Sequence, residues 1–241
     1  SGKPAAGYQG QVWLQAFDSS ARSRLDGFNY NQVGAHIFRG RFPVVDGRFS
    51  AEFRVPKDIT YGGKDGRISA YIWSDSRPSA FGAVDGLVVS GTASGVETDL
   101  QGPEISLSFE GADGTTIPSR TVLLATITDP SGINITGDTG HEIELMIDGK
   151  IFALTDFYSV QGGDYRQGLI QFPMPELEPG NHELRLKVWD NFNNSSRTTL
   201  AVTVREEANA GLDQVLFYPN PIDAAGGHFT YELKDNVRAV Q

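Results

Sequence analysis

Oxygen-bearing side chains crowd two short stretches of this sequence. In TDPSGINITGDTGHEIELMIDGK (Thr128–Lys150), Asp129, Asp138, His141 and Glu142 share one Gly-rich segment, the residue types of a calcium loop or of an acid/base group. In VWDNFNNSS (Val188–Ser196), Asp190, Asn191, Asn193 and Asn194 follow an alternating apolar run and offer a second set of ligands. The EF-hand template requires oxygens at the first, third and fifth loop positions and Gly at the sixth. Counted from Asp129, the fifth position is Ile133, so the template fails. Asp, Asn and Gly are also what a connection between strands needs, because they cap their own backbone and tolerate left-handed geometry. That simpler reading is preferred for both stretches, with a loop calcium left open beside it.

Other chemistry finds fewer parts. His36, His141, His182 and His228 fall on separate segments, and no two show the spacing of metal ligands. The sequence contains no Cys, which removes thiol nucleophiles, thiolate metal sites and disulfides together. No Ser sits in a strained strand-to-helix elbow. Paired carboxylates meet in space rather than in sequence, and none here lies among aromatics in a sugar-cleft pattern. No residue is therefore assigned as catalytic, cofactor-binding or metal-binding. Trp73 and Trp189 fall opposite the aliphatic residues of their segments; each could stack on a sugar or, the preferred reading, pack under a loop or at a domain junction.

The segments that carry these residues alternate with a period of two. In HEIELMID, Ile143, Leu145 and Ile147 oppose Glu142, Glu144 and Asp148; in HELRLKVWD, Leu184, Leu186 and Val188 oppose Glu183, Arg185 and Lys187. In GRFSAEFRV, Phe49, Ala51, Phe53 and Val55 share one face against Arg48, Ser50, Glu52 and Arg54. Such patterns predict antiparallel sheets with one wet face. Asp-Gly at residues 26–27, 46–47, 65–66, 85–86, 113–114 and 148–149 predicts two-residue hairpin turns, the first four spaced for one hairpin per interval. No amphipathic helix of useful length is visible. The fold class is all-β.

With 28 Gly and 12 Pro among 241 residues, turns are frequent, and a formal charge of −10 disfavours nucleic acid as a partner. No apolar run approaches the roughly 18 residues of a membrane span. Two polar stretches, TASGVETDLQGP (92–103) and REEANAGLDQ (205–214), divide the chain. The expected organisation is a β-sandwich over residues 1–98, an immunoglobulin-like sandwich over 99–208, and a third element over 209–241. The last of these cannot bury a core of its own. It is expected to be the start of a sandwich whose remaining strands are absent, ordered only by docking on a neighbouring sandwich or by pairing with a second copy.

Several segments together resemble one family. GRFSAEFRVPKDITYGGKDGRISAYIWS resembles a region downstream of the catalytic domain in type IX secretion sortases, gingipain-like (C25-family) cysteine peptidases of the bacterial outer surface. QGPEISLSFEG, TDPSGINITGDTGHEIELMIDGK and ELEPGNHELRLKVWDNFNNSS are similar to the immunoglobulin-like module that follows, and VLFYPNPIDAAGGHFTYEL to the opening of the C-terminal sorting-type sandwich, a relative of flagellar hook-cap domains. The similarity runs in order from Val12 to Gln241. It implies a non-catalytic accessory region of a parent that cleaves C-terminal signals from secreted cargo and helps attach that cargo to surface lipopolysaccharide. The partners implied are the upstream catalytic domain, outer-membrane components of the secretion machine and the cargo, with no membrane span in this chain. The location implied is extracellular, at the bacterial outer-membrane surface. The family's catalytic Cys and His have no counterpart here, and no functional residue carries over. The rival class is an adhesion or carbohydrate-binding array of a surface protein.

Overall fold

The computed structural model describes residues 5–60, 63–89, 91, 98–137, 140–205, 212–223 and 226–233. Strands dominate, and the one helical element among the described residues is a 3₁₀ turn at Thr155–Phe157. The first half contains β1 (Gly10–Phe17), β2 (Ala21–Leu25), β3 (Phe28–Gln32), β4 (His36–Val44), β5 (Gly63–Trp73) and β6 (Ala80–Val89). The second contains β7 (Glu104–Phe109), β8 (Thr116–Ile117), β9 (Val122–Thr128), β10 (Glu144–Ile147), β11 (Lys150–Ala153), β12 (Tyr158–Val160), β13 (Gln167–Pro173), β14 (Gly180–Trp189) and β15 (Ser195–Val204). Two further strands, β16 (Leu212–Asp223) and β17 (Gly226–Leu233), pair as a separate antiparallel hairpin.

The second half closes as a sandwich. Strands β12-β13-β9-β7 form one layer and β11-β10-β14-β15-β8 the other. Their inward rows meet: Leu123, Ala125 and Ile127 of β9 and Leu184, Leu186 and Val188 of β14 are all 0% exposed. The alternation in HEIELMID and HELRLKVWD thus reports buried faces correctly, with Ile143 and Leu145 also fully buried.

The first half is arranged differently. Its long strands lie in one sheet, in the order β6-β5-β1-β4, which continues through β12 into the second half. The splice is a single parallel bridge, Val160 to Gly40. Gly40 makes it possible: a Cβ there would stand 3.0 Å from Val160 Cβ and 2.9 Å from the Phe38 ring. Buried residues of both halves, among them Val12, Phe42, Tyr158 and Val160, form one continuous core.

GRFSAEFRV is not a strand. A bridge between Val45 and Arg48 starts a hairpin at Asp46-Gly47, after which the chain leaves the ladder. The outer edge of β4 is met by β12 instead, so the departing segment finds no partner strand. Ala51 and Phe53 still face the core, and Phe53 stacks on Phe38 at 4.6 Å. Phe49 and Val55 are exposed. Alternation marked the inward face for Ala51 and Phe53 alone, and not what the backbone pairs with.

The Asp-Gly pairs divide by role. At 26–27, 46–47 and 148–149 both residues have positive φ, the geometry of two-residue hairpin turns. Asp65 (φ 76°) and Gly86 (φ 77°) sit instead at bulges within the β5–β6 pair, where the register slips. The turn joining β5 to β6 is Ser74–Ser79, so the expected one hairpin per interval holds for only part of the chain.

Candidate functional site

At one end of the sandwich the inward rows of the two sheets run out into carboxylates. Asp129 continues the row Leu123, Ala125, Ile127, and Asp190 continues Leu184, Leu186, Val188; they are 3% and 0% exposed. Asp99, half-buried in the junction before β7, is the third member. One oxygen from each of the three lies within 4.8 Å of the others. The two loops that looked separate in sequence are thus one place. They are tied by the bridge between Ile133 and Asp190, by Asn134 N donating to Trp189 O (2.9 Å), and by Asn191 N donating to Gly132 O (3.0 Å).

Part of each carboxylate holds its own loop. Asp129 Oδ1 accepts from Ser131 N (2.7 Å) and Ser131 Oγ (2.6 Å). Asp190 Oδ1 accepts from Phe192 N (2.8 Å) and Asn194 N (2.7 Å), and its Oδ2 accepts from Asn194 Nδ2 (2.7 Å). Asp99 Oδ1 accepts from Gln101 N (3.1 Å), and Asn194 Nδ2 reaches Asp99 O (3.2 Å). The turn-forming role given to these residues from sequence is therefore present, and Asn193 does take positive φ (69°). Among the described residues, no ion pair reaches any of the three carboxylates. Burial pushes the Asp129 carboxyl above its ordinary range, and the neighbouring Asp190 and Asp99 charges push the same way, against the Ser131 hydrogen bonds. Such a group holds a proton or a hard cation.

His141 and Glu142 do not join this cluster. Glu142 is exposed. His141 Nδ1 contacts Asp58 of the first half, whose carboxylate also accepts from Asn134 Nδ2 (2.8 Å) and Asn193 Nδ2 (2.7 Å). Burial raises the Asp58 carboxyl, but the hydrogen bonds from Asn193, Asn134 and His141 outweigh it and hold the group below its usual range. The backbone on either side is clamped too. Lys57 N donates to Asn191 O (3.1 Å), Asn191 Nδ2 donates to Arg54 O (3.3 Å), and the Lys57 ammonium lies 4.4 Å from the Phe192 ring centre. Arg39, Tyr158 and Asn191 line a cavity of about 10 Å³ at this joint, room for one water. Asp138 lies outside the described residues.

The other histidines have separate duties. His36 bonds Gln15 Nε2 (3.0 Å), and burial, helped by Arg39, lowers its imidazole to about 4. His182 bonds Asp148 (2.6 Å) and Glu178 O (2.7 Å), and the Asp148 bond raises it. The side chain of His228 is outside what is described. Trp189 packs with its ring 4.5 Å from His141 and 4.2 Å from the Lys187 ammonium; Trp73 lies against Tyr71 (5.9 Å) and Arg41 (5.5 Å). Both are half-buried. Asp58 and Asp99 escaped the sequence reading, because each stands in a stretch with no apolar periodicity to give it a face.

No protein-family model matches the chain, and no curated protein does. Among solved structures it is similar to dimeric latent PorU from Porphyromonas gingivalis, at 30% identity over 89% of this chain and 22% of PorU, with a TM-score of 0.44. A chimeric titin Z1Z2 carrying a KLER peptide from decorin aligns at 15% identity over 85% of this chain and 91% of its own, with a TM-score of 0.26. The likeness to PorU is one of sequence, and this chain spans about a fifth of that protein (22%).

Proposed function

We propose that this chain is a non-catalytic accessory region of a surface cysteine endopeptidase of the type IX secretion sortase kind, whose parent cleaves C-terminal signals from secreted cargo. The observation that carries this reading is the 30% identity to PorU along 89% of the chain. The ordered set of family-like segments from Val12 to Gln241 supports it, as does a sequence without any Cys to serve as the nucleophile. In this reading the chain braces the upstream catalytic domain and presents sandwich surfaces to cargo or to outer-membrane components, outside the cell. The first half has apolar surface suited to such contacts: Phe28 is 79% exposed, Phe81 69% and Val84 59%.

The test is the complete open reading frame, followed by the parent with and without this region. A Cys/His peptidase domain upstream, and cargo processing that falls when the region is deleted while the catalytic thiol stays reactive, is the expected result. A parent with no peptidase domain would overturn the reading. In that case glycan-array binding lost in Trp73→Ala or Trp189→Ala would favour the adhesion class.

A further inference from the structure

Asp129 and Asp190 bring two carboxylates almost fully out of water, with the Asp99 carboxylate beside them. Buried charges of one sign are unfavourable unless something neutralises them. A second, independent feature lies across the same sheet from Asp129. The Tyr158 hydroxyl is buried, 2% exposed as a residue, yet has no hydrogen-bond partner. Tyr158 stands opposite Ile170, but its ring leans across Gly168, its oxygen 2.4 Å from where a Gly168 Cβ would be. Gly168 is paired with Ile127, and the next inward residue beyond Ile127 is Asp129. The phenol is aimed along that diagonal, and the Asp129 charge acts on it.

We infer that Asp99, Asp129 and Asp190 bind a calcium ion, with the Tyr158 hydroxyl facing a water of its shell. The donor set is all oxygen, without the imidazole or thiolate that zinc and copper prefer. Calcium accepts irregular oxygen geometry and completes its shell with water, whereas magnesium demands a near-octahedral one. The half-exposed Asp99 side leaves room for those waters. The ion would fasten the junction before β7 to the loops after β9 and β14, so three segments distant in sequence share one ligand. This inference does not depend on the proposed parent.

The test uses the whole chain after removal of divalent ions with a chelator. Calorimetric titration with calcium should show one site per chain, with a dissociation constant of about 10⁻⁴–10⁻³ M, the weak end of calcium sites, because only three side chains supply charge. Saturating calcium should raise the melting temperature by a few degrees, and the same concentration of magnesium should do less. Asp99→Asn, which removes only a half-exposed charge, should weaken binding at least tenfold without lowering the melting temperature of the chelated chain. Terbium in the site should luminesce on excitation of tyrosine, and Tyr158→Phe should dim that signal. No heat and no melting shift up to about 10 mM calcium, well above that range, or binding that survives both Asp99→Asn and Asp129→Asn, would overturn the inference. So would a chelated chain that gains stability as pH falls while calcium adds nothing at neutral pH: the cluster would then hold a proton.

Discussion

The two halves of this molecule are written in the same alternating pattern and folded to different ends. In the second half both layers of the sandwich exist, so every inward row has another row to meet. In the first half one sheet does the work, and much of its outer part stays wet: β6 is exposed along nearly its whole length, and the β2–β3 hairpin holds Leu25 and Phe28 at 65% and 79% exposure. What covers β4 is borrowed, from the irregular Ala51–Phe53 segment and from β12 of the other half. Alternation says that a strand has two unlike faces. It does not say that each face has a partner.

The comparison can be broken most directly in the cores. Leu186→Ala removes a side chain that is 0% exposed and should destabilise the chain by about 2–5 kcal/mol, whereas Phe81→Ser in β6 should stay within about 0.5 kcal/mol. Urea unfolding of the two variants would decide it, and equal losses would mean that β6 is covered in solution. A second experiment separates the halves. The division into 1–98 and 99–208 remains a proposal. Expressed alone, 99–208 should melt cooperatively near the intact chain's temperature, because it keeps both of its layers. Residues 1–98, deprived of β12, should melt distinctly lower, and calorimetry of both pieces would show it.

Smaller effects sharpen the joint. Asp58→Ala leaves Asn134, Asn193 and His141 without their shared acceptor and should lose about 1–3 kcal/mol, read from chemical denaturation. Acid gives a separate test, through His36. Its folded imidazole is held at about 4 against an ordinary 6.5. The unfolded chain therefore takes up that proton first, and stability should fall as pH drops from about 6.5 to about 4. Asp58, held low, adds a loss of its own as pH falls through its folded range, while Asp129, held high, works the other way. A melting series across this range, repeated in His36→Gln, should show a shallower slope in the variant. The smallest change expected is Glu176→Gln, which breaks an exposed ion pair with Arg120 and should shift stability by no more than about 0.5 kcal/mol.

How much of this was legible depended on whether the deciding partner was local. HELRLKVWD announced its buried row because Leu184, Leu186 and Val188 repeat at the sheet's own period. The turns at 26–27 and 148–149 were legible because Asp-Gly sets its own backbone. GRFSAEFRV misled, since a competing strand more than a hundred residues further on reached the β4 edge. Asp129 and Asp190 each carry a legible turn-forming role, which the structure shows in their hydrogen bonds to their own loops. That they converge, with Asp99 from the junction, follows from two sheets packing face to face, and no window of sequence contains that fact. Asp58 meeting His141 is the same case across the two halves.

The Asp-Gly turns also set how the molecule ages. The amide nitrogen after an aspartate can attack its carboxyl and expel water, closing a succinimide that water reopens mostly as isoaspartate, and a following Gly leaves that attack unhindered. Asp148 is occupied by His182 and by Glu183 N, and Asp46 by Gly7 N. Asp26, at the tip of the exposed β2–β3 hairpin, has no such bond among the described residues. Of the three two-residue Asp-Gly turns, the one at Asp26 should therefore wear first, the extra backbone methylene spoiling that turn while the sandwich beyond stays as it was made.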